Sequence, residues 1–343
     1  MKTSEFYYDL PDGLIAQRPE TCRSDSRMMI LKKNKGVDGI LKFREIANFL
    51  NEDDLVVVNN AKVLPCRIMA KKYPAGSDVE ILLSEKTGDN TWIALAKPGK
   101  RLKKGTVLNI MDDATARVEN VDNGFYELSF PAVSAETVME KYGRMPLPPY
   151  IKRDDNSAKE QDKLDYQTVF AREEGAIAAP TAGLHFTEEL LSEIKNMGVK
   201  VAALTLNVGV GTFKPVKTGN IEEHKMHPEK YSISEETAGA VNEHLSRNKR
   251  LIPVGTTVVR ALESAYDGVK LRSGSFKTDL FIYPGYRFRI IRNMVTNFHL
   301  PCSTLLMLVC ALAGKKTVMD AYGLAVKERF RFYSYGDSML IIE

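Results

Sequence analysis

Residues 251–265 read LIPVGTTVVRALESA. The short apolar run at the start of this stretch predicts a buried strand, which Gly255 ends. From Thr256 onward the apolar residues recur at helical spacing, which predicts a helix up to Ala265. A strand that leads directly into a helix is typical of an α/β layer architecture, so this stretch indicates the class of fold.

The same alternation extends over the sequence on both sides. Upstream, Thr187 is expected to cap a helix that Gly198 ends, and VKVAALTLNVG, 199–209, follows as a strand. Downstream, Ser303 is expected to cap a further helix. The other elements predicted after residue 230 are a helix over 235–247, a strand DLFIYPG over 279–285, a helix over 318–330 and a strand SMLII over 338–342.

Residues 62–133 have a different pattern. Short runs rich in β-branched residues, such as DVEILLS, TWIALA and FYELSF, recur with Gly, Asp, Asn or Pro between them. This spacing predicts a small antiparallel barrel or sandwich. We therefore expect a mixed α/β (α+β) protein of two domains: a discontinuous main domain, residues 1–61 and 134–343, and an inserted antiparallel β-barrel domain, residues 62–133.

Composition limits the classes of function. The chain has 343 residues, a net charge of +4 and four cysteines, with no Cys-x-x-Cys pair. This cysteine usage argues against a zinc site or a disulfide scaffold and favours a reducing, cytoplasmic location. The longest apolar run, 305–313, is far shorter than the ~20 residues that span a bilayer, so no membrane association is expected.

Two loops suit a ligand. At the predicted helix start, Gly255 allows close approach, and the amides and hydroxyls of Thr256 and Thr257 suit an anion or a ribose. Gly209 and Gly211 follow a strand and indicate either a β-bulge or a ligand contact. A tight turn with threonine capping is the alternative at the first loop. Neither a dinucleotide fingerprint nor a P-loop motif is present.

Four of the five histidines lie at predicted element boundaries, namely His185, His224, His227 and His299, whereas His244 is expected on the surface of a charged helix. Histidine moves protons near neutral pH, but a structural hydrogen bond is the alternative at each position. The His-x-x-His pair at 224 and 227 has no evident third ligand, so no metal site is expected.

Basic residues are concentrated in three stretches: KPGKRLKKG at 97–105, YRFRIIR at 286–292 and KERFRFY at 327–333. Arginines interleaved with aromatic residues suit phosphate contacts and base stacking on RNA. The alternative is a charged edge that prevents strand pairing.

Several motifs together resemble the S-adenosylmethionine:tRNA ribosyltransferase-isomerase family of queuosine biosynthesis. They are AAPTAGLHFT (178–187), LNVGVGTFKPV (206–216), VGTTVVRALES (254–264), VTNFHLPCSTLLMLV (295–309) and RFYSYGDSMLI (331–341). Upstream, DLPDGLIAQRP, RSDSRMM and VVVNNAKVLPCR match the family in the same order, so the resemblance runs essentially end to end.

The resemblance implies a specific reaction. The ribosyl moiety of S-adenosylmethionine is transferred to 7-aminomethyl-7-deazaguanine at the tRNA wobble position and isomerised, which gives epoxyqueuosine-tRNA and releases adenine and methionine. S-adenosylmethionine is then a substrate, and no cofactor or obligate protein partner is expected; a monomer is the default. Two other classes remain open: an S-adenosylmethionine-dependent RNA methyltransferase and a non-catalytic RNA-binding protein.

The resemblance also implies roles for residues. The expected catalytic residues are His185, Thr181 and Asp337. His185 is expected to transfer a proton from a stiff turn, Thr181 to contact the ribose or methionine part, and Asp337 to pair with a cation. The expected S-adenosylmethionine-binding residues are Pro180, Gly183, Gly209, Gly211, Gly255, Thr256, Thr257, Arg260, Asn297, His299, Ser303 and Tyr335. The expected tRNA-binding residues are Arg23, Arg27, Lys100, Arg101, Lys103, Lys104 and Arg289.

Two positions depart from the family pattern. Asn207 stands where the family often has a histidine, so a histidine there is not essential if this protein is active. Leu164 and Asp165 replace a commonly charged pair, which weakens a tRNA role for that segment.

Overall fold

The computed structural model describes residues 1–100, 102–111, 114–153, 159–209, 216 and 218–343. The strands are β1 (Arg27–Lys32), β2 (Gly36–Lys42), β3 (Leu55–Asn59), β4 (Ala61–Val63), β5 (Arg67–Lys72), β6 (Asp78–Gly88), β7 (Thr91–Lys97), β8 (Val107–Met111), β9 (Ala114–Asp122), β10 (Phe125–Ser129), β11 (Glu173–Ala176), β12 (Lys200–Leu206), β13 (Glu229–Ile233), β14 (Leu251–Pro253), β15 (Gly274–Thr278), β16 (Met294–Asn297) and β17 (Ser338–Ile342). The α-helices are α1 (Ala135–Tyr142), α2 (Lys159–Asp165), α3 (Glu188–Asn196), α4 (Glu235–Ser246), α5 (Thr256–Ala265), α6 (Thr304–Ala313) and α7 (Lys315–Lys327).

A five-stranded sheet, in the order β14-β3-β12-β13-β15, forms the centre of the α/β part. Its strand β3 is parallel to both neighbours, β12 and β14. Leu55 and Val57 pack in one core cluster with residues of α4 and α5, whereas Val56 and Val58 pack in another with residues of α3. Because both faces of β3 are covered, its sequence is continuously apolar rather than alternating.

A second sheet has the order β16-β17-β1-β2. Its two inner strands, β1 and β17, are parallel and pair Met28 with Ser338 and Leu31 with Ile341. The outer strands β2 and β16 pair antiparallel with them. The two sheets meet where Val254, just after β14, bridges Val295 in β16. This junction places the start of α5 beside the end of β16.

Six strands form a closed barrel in the order β10-β7-β6-β5-β8-β9, and every neighbouring pair is antiparallel. Alternate residues of β6 are buried, as expected when one face of each strand points into a barrel core. Helix α1 packs on that core through Ala135, Val138 and Met139. The predicted mixed fold with an antiparallel barrel is confirmed, while the domain boundaries at 62 and 133 stay predictions.

Two local predictions are wrong. Residues 279–283 form no strand; the strand lies earlier, at β15. The backbone groups of Leu280 bond to side chains instead of to a neighbouring strand. Its N–H donates to Thr278 Oγ1 (3.1 Å), and its carbonyl accepts from Arg260 Nε (3.0 Å). His244 is buried rather than on the surface, because it lies on the same face of α4 as Val241, three residues earlier, which packs in the core. Its Nδ1 lies 2.8 Å from the Ala240 carbonyl. No helix in the described part of the chain is both long and apolar enough to cross a membrane.

Candidate active site

A cavity of about 1360 Å³ lies between the barrel and the main sheets. The barrel contributes residues from β6 and β7, among them Glu85 and Trp92. The opposite wall comes from the segments 174–182, 207–209, 255–260 and 296–305. This volume is large enough for a nucleoside-sized ligand, with room for part of a second one.

The start of α5 forms one part of the wall. Gly255 is its N-cap and has a φ of 95°, a conformation that L side chains rarely adopt. Its N–H donates to the Val295 carbonyl (2.8 Å), which fixes the helix start against β16. Asn59 Nδ2 donates to Thr257 Oγ1 (3.3 Å). The positive end of the helix dipole therefore faces the cavity, together with threonine hydroxyls.

A buried ion pair between Arg260 and Glu229 forms the next part. Arg260 Nη1 donates to Glu229 Oε2, and both side chains are only 6% exposed. Arg260 Nε is held by the Leu280 carbonyl, and Glu229 Oε1 accepts from the Gly209 N–H (3.2 Å). Arg260 Nη2 has no hydrogen-bond partner within the described residues. The pair therefore presents a guanidinium donor and a carboxylate at the cavity wall.

Asn297 and His299 lie at the end of β16 and just beyond it. Asn297 Nδ2 donates to the Tyr333 carbonyl (3.0 Å) and lies 3.2 Å from His185 Nε2. His299 Nε2 lies 2.8 Å from Thr296 Oγ1, and burial lowers the pKa of His299 to about 3. Both side chains line the cavity, and both are neutral at physiological pH.

His185 lies behind this wall rather than on it. Its ring stacks on Phe43 with a centroid distance of 5.0 Å, and its Nδ1 lies 2.7 Å from Ser26 Oγ. Burial, helped by the charges of Arg331 and Arg23, lowers the pKa of His185 to about 3. Both ring nitrogens thus have a protein partner, and the ring is neutral at pH 7. The proton-transfer role of His185 stays a prediction, and this geometry favours a role in positioning.

The structure brings most of the predicted ligand residues to one wall. Those that line the cavity are Pro180, Thr181, Gly209, Gly255, Thr256, Thr257, Arg260, Asn297, His299 and Ser303. Those that do not are Gly183, His185, Tyr335 and Asp337. Gly211 lies outside the described residues.

Packing and hydrogen bonding explain the residues away from the wall. A Cβ on Gly183 would lie 2.5 Å from Phe170 Cζ, so the glycine allows close packing of the turn. Asp337 accepts from the N–H groups of Arg27 (2.9 Å) and Arg331 (2.8 Å) and pairs with the Arg27 guanidinium. Its cation is therefore a side chain of this protein. Tyr335 packs edge-on against Tyr166.

The predicted tRNA-binding residues fall into two groups. Lys100, Lys103 and Lys104 are exposed on the loop between β7 and β8, whereas Arg101 lies outside the described residues. The arginines have protein partners. Arg23 donates to the carbonyls of Leu164 and Gln167 (2.5 Å each), Arg27 bonds Asp337, and Arg289 pairs with Glu263. Among the described members of this set, the lysine loop alone offers cations to an external phosphate without breaking such interactions.

Sequence reasoning missed Glu229, which lies in a segment rich in charged residues, EEHKMHPEK, 222–230. No local signal separates it from its exposed neighbours. Its burial depends on Arg260, which is 31 residues later in the chain. Asn207, the departure from the family pattern, also lines the cavity.

The family model for queuosine biosynthesis proteins matches residues 3–341. The chain belongs to this family. It is 48% identical over 351 residues to an S-adenosylmethionine:tRNA ribosyltransferase-isomerase of Caldanaerobacter subterraneus subsp. tengcongensis, with all of both chains covered. It is 46% identical over 346 residues to the protein of the same name from Halothermothrix orenii, again over both full lengths.

A crystal structure supports membership. S-adenosylmethionine tRNA ribosyltransferase from Thermotoga maritima is 38% identical, and the alignment covers 99% of this chain and 100% of that one, with a TM-score of 0.57. The family predicted from the ordered motifs is therefore confirmed, and the relatives carry the name of the activity that the resemblance implied.

Proposed function

We propose that this protein is an S-adenosylmethionine:tRNA ribosyltransferase-isomerase that acts in the cytoplasm on tRNA carrying 7-aminomethyl-7-deazaguanine. The observation that carries the proposal is the cavity wall, where family motifs from four separate segments meet. The reaction joins the aminomethyl nitrogen to the ribosyl unit and breaks its bonds to adenine and to methionine sulfur. Ring closure to the epoxycyclopentanediol replaces the second lost bond with a new carbon–carbon bond and releases one proton from the ribose C5′. The amine also loses a proton; adenine takes up one of these two protons, and the other passes to solvent. The reaction needs no cofactor, because S-adenosylmethionine supplies the transferred group.

The wall offers a group for each part of this substrate. The positive end of α5 suits the methionine carboxylate, and so does Arg260 Nη2, which has no hydrogen-bond partner among the described residues. The sulfonium suits a place beside the Glu229 carboxylate, whose charge is shared with Arg260 in the ion pair. The hydroxyls of Thr256 and Thr257 suit ribose. These groups bind and orient S-adenosylmethionine against the wobble base.

The barrel supplies the proposed contact with tRNA. Its β6 and β7 form the other side of the cavity, and the exposed lysines at 100, 103 and 104 follow β7. Phosphate neutralisation by such lysines gives affinity without sequence specificity. Base recognition is thus left to the cavity.

A single-turnover product assay tests the proposal. Purified protein is mixed with S-adenosylmethionine and tRNA carrying 7-aminomethyl-7-deazaguanine, and the products are analysed by mass spectrometry. Adenine and methionine in equal amounts, with a matching gain of mass on the tRNA, are expected. S-adenosylhomocysteine identifies a methyltransferase instead, and tRNA binding with no consumption of S-adenosylmethionine identifies a non-catalytic RNA-binding protein.

A matched pair of variants ties the activity to the cavity. Arg260→Lys keeps the positive charge but loses the planar donors that bond Glu229, Leu280 and the ligand. Its turnover is expected to fall at least tenfold, whereas Lys316→Gln, at a position 90% exposed on α7, should retain full turnover. Equal activity of both variants contradicts this site.

A further inference from the structure

A chain of hydrogen bonds runs from the segment just before β1 to the cavity wall. The Arg23 carbonyl accepts from Ser26 Oγ (3.1 Å), and Ser26 Oγ lies 2.7 Å from His185 Nδ1. His185 Nε2 lies 3.2 Å from Asn297 Nδ2, which also donates to the Tyr333 carbonyl (3.0 Å). Both ends of the chain are therefore backbone carbonyls.

Those carbonyls determine the direction of every bond between them. A carbonyl only accepts, so Ser26 uses its proton on Arg23 and must accept from the Nδ1–H of His185. Neutral histidine with its proton on Nδ1 has a lone pair on Nε2, which accepts from Asn297. At the other end, the Tyr333 carbonyl requires the amide nitrogen of Asn297, not its oxygen. No member can be reversed without placing two acceptors or two donors against each other.

The consequence concerns the third atom of the Asn297 amide. Both N–H groups of Nδ2 are used inside the protein, so Oδ1 is the atom left over. Oδ1 is buried and has no hydrogen-bond partner among the residues that the structure describes. Asn297 itself is 2% exposed and lines the cavity. A buried amide oxygen without a partner, fixed in orientation, is an acceptor prepared for a donor that arrives with a ligand.

The surroundings restrict the kind of donor. The start of α5 is bonded to β16 through the Gly255 N–H and the Val295 carbonyl, two residues before Asn297. The positive end of this helix disfavours a cationic donor such as an ammonium group. A neutral N–H or O–H fits both the amide oxygen and this field. In S-adenosylmethionine, the adenine amino group and the ribose hydroxyls have this chemistry.

We propose that Ser26 and His185 are positioning residues that orient Asn297, and that Asn297 Oδ1 accepts a hydrogen bond from a neutral donor on the nucleoside part of S-adenosylmethionine. The proposal rests on the proposed function for the identity of the ligand. The low pKa of His185, about 3, agrees with it, because the ring stays an acceptor at Nε2 over the working pH range.

Calorimetric titration of S-adenosylmethionine into the intact protein tests the acceptor. Asn297→Ala is expected to weaken binding roughly tenfold to a hundredfold, since each hydrogen bond to a buried group contributes about that factor. Two analogues identify the donor: one lacks the adenine amino group, and the other lacks a ribose hydroxyl. The analogue that lacks the true donor should bind the parent more weakly than S-adenosylmethionine does. Its affinity should also be the same for the parent and for Asn297→Ala.

The outcomes separate this inference from the proposed function. If the parent releases adenine and methionine but Asn297→Ala binds S-adenosylmethionine equally well, the inference is overturned and the function stands. If binding depends on Asn297 and no product forms, the function fails and the inference stands. If the folded parent binds S-adenosylmethionine neither alone nor with the substrate tRNA, and releases no adenine, both are overturned.

Variants of His185 test the positioning role. Glutamine can accept from Asn297 and donate to Ser26, whereas leucine can do neither. His185→Leu is expected to lose affinity as Asn297→Ala does, and His185→Gln should recover it to within a few-fold with an unchanged pH profile of kcat. Loss of one limb of that profile in His185→Gln would show proton transfer by the ring and overturn the proposal. If His185→Leu fails to fold, Ser26→Ala replaces it, because this change removes the acceptor for Nδ1–H together with the hydroxyl donor to the Arg23 carbonyl. It should weaken binding several-fold, and unchanged binding overturns the proposal.

Discussion

Two buried polar clusters of the α/β part differ in whether their polar atoms have hydrogen-bond partners within the protein. The Asp337 cluster consists of Asp337, Arg27 and Arg331, and both oxygens of its carboxylate are hydrogen-bonded within the protein. The cavity cluster consists of Asn297, Arg260 and Glu229, and within the described residues Asn297 Oδ1 and Arg260 Nη2 have no partner. An unpaired buried polar group costs about 1–3 kcal/mol. Satisfied burial therefore marks scaffolding, and unsatisfied burial beside a cavity marks a place for a ligand.

The largest expected effect comes from breaking the Asp337 cluster. Asp337→Ala leaves the N–H groups of Arg27 and Arg331 without their acceptor and removes the ion pair of the Arg27 guanidinium, which keeps its bonds to the carbonyls of Glu328 and Arg329. This change is expected to lower the free energy of unfolding by roughly 2–4 kcal/mol. Urea unfolding measures this loss. Asp320→Ala, which removes an exposed pair with Lys316, should change it by less than about 0.5 kcal/mol. A variant of Asp337 with full stability but a tenfold higher KM for S-adenosylmethionine would move Asp337 into the cavity cluster.

The second largest effect is expected from acid, which should lower the free energy of unfolding through His185, the residue that bonds Asn297 of the cavity cluster. His185 has a native pKa of about 3. An unfolded histidine takes up its proton below a pH of about 6.5. The contribution of His185 to the free energy of unfolding is therefore fully present above its unfolded pKa. It falls by ~1.4 kcal/mol per pH unit as the pH decreases towards its native pKa. His185→Gln should remove this slope, measured by urea unfolding between pH 6.5 and 4.5.

The second buried histidine, His299, should contribute an equal dependence of stability on pH. Burial lowers the pKa of His299 to about 3 as well, so the double variant with His299→Gln should lose twice the slope of either single variant. Identical slopes in the parent and both variants would mean that neither ring is buried as a neutral group.

A substitution at Gly183 should have a smaller effect on stability, and it tests whether this glycine serves packing or ligand contact. A Cβ at this position would lie 2.5 Å from Phe170 Cζ, so Gly183→Ala is expected to cost about 1–3 kcal/mol of unfolding free energy through overpacking. Gly239→Ala is the matched control, because a Cβ there has nothing within 4 Å in the exposed part of α4. It should stabilise the protein by about 0.5–1 kcal/mol. An unchanged stability with weaker S-adenosylmethionine binding in Gly183→Ala would instead indicate ligand contact.

The lysine loop of the barrel should show the smallest effect, and only on tRNA. Changing Lys100, Lys103 and Lys104 together to glutamine is expected to weaken tRNA binding. The slope of log affinity against log salt should fall by about 0.7–0.9 for each phosphate that the variant no longer neutralises. Filter binding over a salt series measures both. The KM for S-adenosylmethionine should stay as in Lys316→Gln. An unchanged salt slope would place the tRNA elsewhere.

Local patterns predict the elements well, because their causes are local. Thr187 and Ser303 are predicted helix caps, and their hydroxyls accept from the N–H groups of Leu190 and Leu306. The strand predicted at 279–285 shows the limit. Its apolar pattern is suitable, but Arg260 and Thr278 bind the backbone of Leu280, and this competition depends on tertiary structure.

The site is predictable in part for the same reason. Motifs with glycine, threonine and asparagine at strand ends indicate which segments meet, and most of those residues line the cavity. Burial is not readable from the motifs. Asp337 and Asn297 lie in motifs of similar character. The Asp337 carboxylate is nevertheless saturated by groups of Arg27 and Arg331, whereas Asn297, which lines the cavity, has a buried amide oxygen with no partner within the described residues. Residues far apart in sequence decide which outcome occurs.

The pairing of β1 with β17 has a consequence for how the protein is made. Ser338 meets Arg27 across 311 residues of chain, so translation must pass almost the whole message before the inner strands of that sheet can join. The barrel strands, from Arg67 to Ser129, are complete long before then. A ribosome that stops before residue 294 leaves a chain with every barrel strand but with the apolar strand Met28–Leu31 unpaired on one edge. Exposed edges of that kind invite aggregation, so interrupted synthesis yields a substrate for proteolysis rather than a partly active enzyme.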